Sequence, residues 1–97
     1  MDPIWDDVEV RELLSVLLSF SGEREARAFL RDLLTESELR EFARRWQTAR
    51  LLDAGVSYAE IEATTGLSST TIARISKWLK EGAGGYREIL DRRRSAR

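Results

Sequence analysis

The chain has 97 residues, 42% hydrophobic and 34% charged, with one Pro and six Gly, which is enough for one helix-rich domain with one core. It contains neither Cys nor His, so disulfides, thiolate metal sites and the commonest general base are excluded, and no cofactor and no metal are expected. The net charge of -1 conceals an asymmetry: residues 1–43 hold 11 acidic and 5 basic side chains, whereas residues 44–97 hold 6 and 11.

That division makes the second half the side on which to expect a polyanion, although a solvated helix surface produces the same bias. No apolar run approaches the roughly 18 residues needed to span a membrane. The opening MDPIW lacks the basic-then-apolar pattern of a signal peptide. The expectation is a soluble, cytoplasmic protein.

In chain order, Trp5, Val8, Leu13, Leu14, Val16, Leu17, Leu18 and Phe20 follow a broad helical stripe that stops at Ser19 to Gly22. Such a helix is apolar over most of its second half and asks for a partner subunit. Ser21 is placed to cap a second helix carrying Ala26, Phe29, Leu30, Leu33 and Leu34 on one side, with Glu23 and Arg27 at supporting spacing.

"TESE" at 35 to 38 is a capping box opening a long helix to about Asp53, with Leu39, Phe42, Trp46, Ala49 and Leu52 or Asp53 as its stripe and Gly55 as its stop. Glu36 with Arg40, and Glu41 with Arg45, support its exposed face. Ser57 caps a short helix carrying Tyr58 and Ile61, and Gly66 closes it. A fifth helix runs from about Ser69 to Lys80. A last one begins near Tyr86, turns Ile89 and Leu90 inward and dissolves into the basic tail "RRRSAR". No strand signal is present, so the fold class is all-α.

The two helices around Gly66 are joined by Gly-Leu-Ser, which matches a helix-turn-helix over 57–80. Ile61, Leu67, Ile72 and Ile75 stand where such a unit packs its helices together, and Gly66 supplies the positive φ of the turn. Glu62 is off-pattern, standing where a small Ala is common near the crossing. At 100° per residue, Ile72, Ile75 and Leu79 define a buried side, leaving Ser69, Thr70, Ala73 and Lys77 on or near the opposite one. A recognition helix enters the major groove by its N-terminal end, where short hydroxyls meet bases or phosphates and bulky groups would hold it off.

These segments resemble the Trp repressor superfamily, most closely its YerC/YecD-type branch of TrpR-related proteins. The resemblance rests on "LLTESEL" (33 to 39), "RWQTARLLDAGVSYAEIEATTGLSSTTIARISKWL" (45 to 79) and "GAGGY" (82 to 86), over half the chain. It implies six helices in an intertwined homodimer, with N-terminal dimerisation helices (1–34), a long central helix (35–54), the helix-turn-helix, and a C-terminal helix with a basic tail (82–97). The best known relative takes tryptophan as corepressor, on a Thr, an Arg of the third helix and an Arg-Gly pair of the recognition helix. The matching positions are Thr35, Arg44 or Arg45, and Arg74, but Ile75 replaces the Gly. Because burying Ile75 is worth about 1.5–3 kcal/mol, no tryptophan dependence is expected.

The resulting expectation is a sequence-specific double-stranded DNA-binding regulator, most simply a repressor. Ser69, Thr70, Ala73 and Lys77 are assigned to bases, and Ser68, Thr71, Arg74 and Lys80 to phosphates. Ser68 also reads as an ordinary N-cap completed by Thr71. The alternative is a helical module that grips a protein partner with the same unit, as the pI of about 5.5 allows.

Other features have plainer readings. Trp5, Trp46 and Trp78 are expected in core or dimer packing rather than as stacking platforms. Arg44 and Arg45 either touch phosphates or pair with Glu41 and solvent. Arg92, Arg93, Arg94 and Arg97 read as a mobile solvated tail. "EGAGGY" follows a helix and lacks the Lys-Ser/Thr of a phosphate loop, so it reads as a flexible hinge. Carboxylates alternate with Arg at salt-bridge spacing, leaving no visible acid-base site, and an enzyme is not expected.

Overall fold

The computed structural model of the chain describes residues 2–95. It contains a short 3-10 turn, Pro3–Asp6, and six helices: α1 Val8–Leu17, α2 Glu23–Leu33, α3 Glu36–Asp53, α4 Tyr58–Thr65, α5 Ser69–Glu81 and α6 Gly85–Ser95. There is no strand among the described residues. The contacts divide the chain into two compact units, one up to Leu39 and one from Arg40 onward.

In the first unit, the apolar stripe expected as one helix is broken at Asp7. Its carboxylate accepts hydrogen bonds from the backbone N–H of Glu9 at 2.9 Å and of Val10 at 3.4 Å, so it caps α1. Trp5 consequently lies outside α1, in the 3-10 turn that Pro3 opens. The cap expected of Ser21 is also different. Gly22 occupies the N-cap of α2 at φ 124°, a region closed to ordinary side chains, while Ser21 donates from its hydroxyl to Glu25 at 3.2 Å.

Neither α1 nor α2 contains a buried residue. Phe20 and Phe29 meet with ring centroids 5.5 Å apart. Ile4, Trp5, Val8, Leu13, Leu14, Val16, Leu17, Leu18 and Leu33 all remain exposed, Leu18 at 79%. So much continuous apolar surface is unusual for a chain that works alone.

The second unit holds the core. The capping box at the start of α3, still within the first unit, forms as read: Thr35 Oγ1 accepts from the N–H of Glu38 at 3.1 Å, and the Glu38 carboxylate accepts from the N–H of Thr35 at 2.9 Å. This pairing holds the Glu38 carboxyl below the usual range. The far end of α3 closes in a Schellman motif. Gly55, at φ 82°, donates to the Leu52 carbonyl and Val56 to that of Leu51, both at 3.0 Å.

Ala49, Ile75 and Leu90 form a buried cluster, against which Trp46, Leu52, Leu67, Leu79 and Tyr86 pack. Ile61 and Ile72 are fully buried, each contributing about 1.5–3 kcal/mol. Phe42, expected on the α3 stripe, is half exposed and lies 5.8 Å from the Arg45 guanidinium. Thr48 is fully buried and its hydroxyl has no partner, a local loss for the core.

The C-terminal segment departs most from its reading. The basic run does not leave the fold as a tail, because α6 continues through Arg92, Arg93 and Arg94 to Ser95. Arg94 pairs with Asp53 at the end of α3, and the Arg93 guanidinium stands 5.8 Å from the centre of the Trp46 ring. Trp46 in turn stacks on Tyr86 with centroids 6.4 Å apart. Leu90 is buried as read, but Ile89 is turned out, at 37% exposure. Arg97 lies outside the described residues.

Candidate nucleic-acid interface

The helix pair α4 and α5 is built from strong local signals. Ser57 accepts from the N–H of Glu60 at 3.2 Å and starts α4. Gly66, at φ 76°, ends it and donates to the Glu62 carbonyl at 2.9 Å. Thr65 is buried and organises the turn between them. Its hydroxyl donates to the Ile61 carbonyl at 2.7 Å and accepts from the N–H of Leu67 at 3.2 Å. Ser68 then caps α5 by accepting from the N–H of Thr71 at 3.2 Å, while its own hydroxyl donates to that of Thr71 at 3.1 Å.

The faces of α5 separate cleanly. Ile72, Ile75 and Ser76 are buried and Leu79 is partly so, which seals one side. Ser69, Thr70, Ala73, Arg74, Lys77 and Lys80 are exposed, and Thr71 is half-buried at the margin. The structure therefore gathers all four residues assigned to bases and three of the four assigned to phosphates on or beside one open strip. Ser68 is exposed too, but its hydroxyl is committed to the cap.

No acidic residue stands in the first turn of α5, so the positive end of its dipole is not offset there. Helical spacing puts Glu81, the last residue of the helix, in line with Thr70, Arg74 and Lys77. The reading of the sequence passed over this carboxylate, although its spacing of four from Lys77 and seven from Arg74 was visible. Its place means that only the first two turns present a purely neutral-to-cationic surface.

Arg45, a candidate for phosphate contact on α3, pairs instead with Glu41 at 3.2 Å. Arg44 is exposed. Among the three tryptophans, Trp46 joins the core, whereas Trp5 and Trp78 are 44% and 51% exposed in the chain. Ile75, at 3% exposure, fills its position from within. Among the described residues no group of three or more Asp or Glu is placed to hold a metal ion, and no helix is long and apolar enough to cross a membrane.

With this geometry, the chain matches the model of the Trp repressor protein family over residues 8–94. The chain belongs to the Trp repressor family. It is 37% identical over 84 residues to the uncharacterized protein YerC of Bacillus subtilis, covering 87% of this chain and 81% of that one. Among solved structures it resembles a TrpR-like protein of Eubacterium eligens with a TM-score of 0.87 and 28% identity, over 94% of each chain. It also resembles a Trp repressor candidate of Staphylococcus aureus, with a TM-score of 0.85 and 32% identity over 97% of this chain and 95% of that one. The Trp repressor fold thus accounts for all six helices, and the family is one of DNA-binding regulators.

Proposed function

We propose that this Trp repressor family member is a cytoplasmic, sequence-specific double-stranded DNA-binding transcriptional regulator, a repressor that acts as a homodimer without tryptophan. The observation that carries the reading is the two-sidedness of α5. Its aliphatic face is sealed in the core while Thr70, Ala73, Arg74 and Lys77 face outward on a helix whose N-terminus bears no acidic residue. Short side chains at that end let the helix enter the major groove, where hydroxyls meet base edges and a methyl of Thr70 or Ala73 suits thymine. Arg74 and Lys80 supply the phosphate contacts that set register.

Support for the dimer comes from the first unit, where the exposed apolar side chains of α1 call for a second copy. Two recognition helices would then meet successive major grooves about 34 Å apart, on a near-palindromic operator. Support for independence from tryptophan comes from Ile75, buried where the best known relative has glycine.

The test is a fluorescence-anisotropy titration of a random-sequence duplex at low and at high salt. Micromolar binding that weakens steeply with salt supports the reading. No binding at low salt contradicts it and favours a protein partner for the same helix pair.

A further inference from the structure

Both α3 and α4 end on a left-handed glycine, Gly55 at φ 82° and Gly66 at φ 76°, yet the chain closes differently after each. After α3, Gly55 donates to the carbonyl three residues back, that of Leu52, and Val56 to the one five back, that of Leu51. Both amides thus find backbone acceptors. After α4, Gly66 donates to the carbonyl four back, that of Glu62, at 2.9 Å. That is the carbonyl Leu67 would need to repeat the α3 pattern. The Leu67 N–H donates instead to the Thr65 hydroxyl at 3.2 Å, and the hydroxyl gives its own proton to the Ile61 carbonyl at 2.7 Å.

The residue before the glycine separates the two closures. Ala54 precedes Gly55 and has no side-chain acceptor to offer, whereas Thr65 precedes Gly66 and is buried. A helical Thr often donates to the carbonyl four back. Here the same oxygen also reaches past the glycine and accepts from the segment that leads into α5. Without the hydroxyl, the part-buried Leu67 N–H would lack an acceptor, a cost that favours the α3-type closure, with Leu67 donating to Glu62 and Gly66 to Ala63. Leu67 packs against the core cluster and Ser68 caps α5 directly after it, so exchanging one closure for the other changes the angle at which α5 leaves the turn.

We propose that the Thr65 hydroxyl is a positioning group for DNA recognition, holding the turn in the closure that sets the angle of α5 against α4. The proposal rests on the DNA-binding reading above and adds to it a side chain that acts without touching the duplex. A helix that reads bases must meet them in a defined geometry, whereas attraction to phosphates is independent of sequence. The hydroxyl therefore matters for a preferred site and little for random sequence.

The test compares the full native chain with Thr65→Val, which keeps the shape and removes the hydroxyl, and Thr65→Ser, which keeps the hydroxyl. Residual dipolar couplings of the backbone amides of α4 and α5 report the angle between the helices, and anisotropy reports binding to a site selected by the native chain and to a random-sequence duplex. Thr65→Val is expected to turn α5 relative to α4. It should bind the selected site about tenfold more weakly, because binding must pull the turn back into a form in which the Leu67 N–H has no acceptor. Its affinity for random duplex and its salt slope should stay native, since no charge has changed. Thr65→Ser should match the native chain in angle and preference.

An unchanged angle or native preference in Thr65→Val, or lost preference in Thr65→Ser, would overturn the proposal and leave DNA binding standing. Equal losses on both duplexes would also overturn it, in favour of plain destabilisation. Should Thr65→Val fail to fold, Thr65→Ser decides by the same two measures. A native chain that binds no duplex at low salt would remove the DNA reading and this role with it, a result that the couplings distinguish from failure of the turn itself.

Discussion

Arg87, on α6, places a guanidinium nitrogen 2.8 Å from the carboxylate of Asp53, the last residue of α3, although the two are 34 positions apart. Asp53 sits at the negative end of an 18-residue helix, where a carboxylate is unfavourable on its own. Arg87 and Arg94 offset that by taking one carboxylate oxygen each. Arg87 is itself steadied by Asp91 at 2.9 Å. The arrangement ties α6 to α3 and thereby holds Leu90 and Tyr86 against the core behind α5.

Removing this tie should lower stability without touching the exposed strip of α5. Asp53→Asn is expected to cost about 1–2 kcal/mol, since the bond is charge-assisted but Arg87 is partly exposed. The hydrogen bond from Arg87 is the main reason the Asp53 carboxyl titrates below its ordinary value, with the charges of Arg87 and Arg94 adding to it against burial. A carboxylate whose folded pKa is depressed contributes fully above the unfolded value of about 3.9, and the contribution is lost as pH falls through the folded value. Urea midpoints of the native chain and Asp53→Asn should therefore differ at pH 7, and the difference should shrink as the pH falls below the ordinary carboxylate value of about 3.9. A difference that persists in acid would contradict this account.

Gly82 matters for space rather than for backbone freedom. A Cβ there would lie 2.4 Å from the Trp78 carbonyl oxygen, the acceptor for the Gly82 N–H. Gly82→Ala must unwind the end of α5, at an expected cost of about 1–3 kcal/mol. Gly85, three positions on, would place a Cβ in open space, and Gly85→Ala should be neutral or stabilise by about 0.5 kcal/mol. Thermal melting of both variants checks the contrast, and equal effects would refute it.

How far these features could be read from the residues follows from the range of each interaction. Capping at Thr35, Ser57 and Ser68 and the left-handed turns at Gly55 and Gly66 are settled within four or five residues, and there the sequence and the structure agree. The burial of Ile61, Ile72 and Ile75 follows from helical periodicity and agrees as well. The Asp53–Arg87 and Asp53–Arg94 pairs join positions 34 and 41 apart, which no local pattern reveals, so Arg93 and Arg94 were read as a tail. The break at Asp7 was hidden because Trp5 falls on the same apolar stripe as α1, and a period does not register a cap. Trp78 is half exposed in the single chain, its angle on α5 lying between the buried and open faces, so of its two expected settings the core is the one it does not join.

The filled position of Ile75 gives a direct expectation. Titration calorimetry with tryptophan at up to several hundred micromolar should show no saturable heat, and duplex affinity should be the same with and without it. Micromolar tryptophan binding would show that the buried isoleucine yields to a ligand, and the reading of the pocket would be wrong.

Within the strip, side chains assigned to phosphates and to bases should fail differently. Lys80→Ala should weaken binding to all duplexes and lower the salt slope by about one unit. Thr70→Ala should leave the salt slope unchanged and relax preference at a single position, by about 1–3 kcal/mol where that base is read directly. Anisotropy titrations at several salt concentrations on a preferred site and its single-base variants separate the two, and identical behaviour of both variants would count against the division.

The most direct measurement is selection of bound sites by the full chain from a random duplex library. An outward strip on α5 that reads bases from a paired subunit predicts enrichment of a near-palindrome whose half-sites are about 10 base pairs apart, with the preference altered in Thr70→Ala. Recovery of unenriched sequence, or of a site that Thr70, Ala73 and Lys77 can all lose without effect, would contradict it.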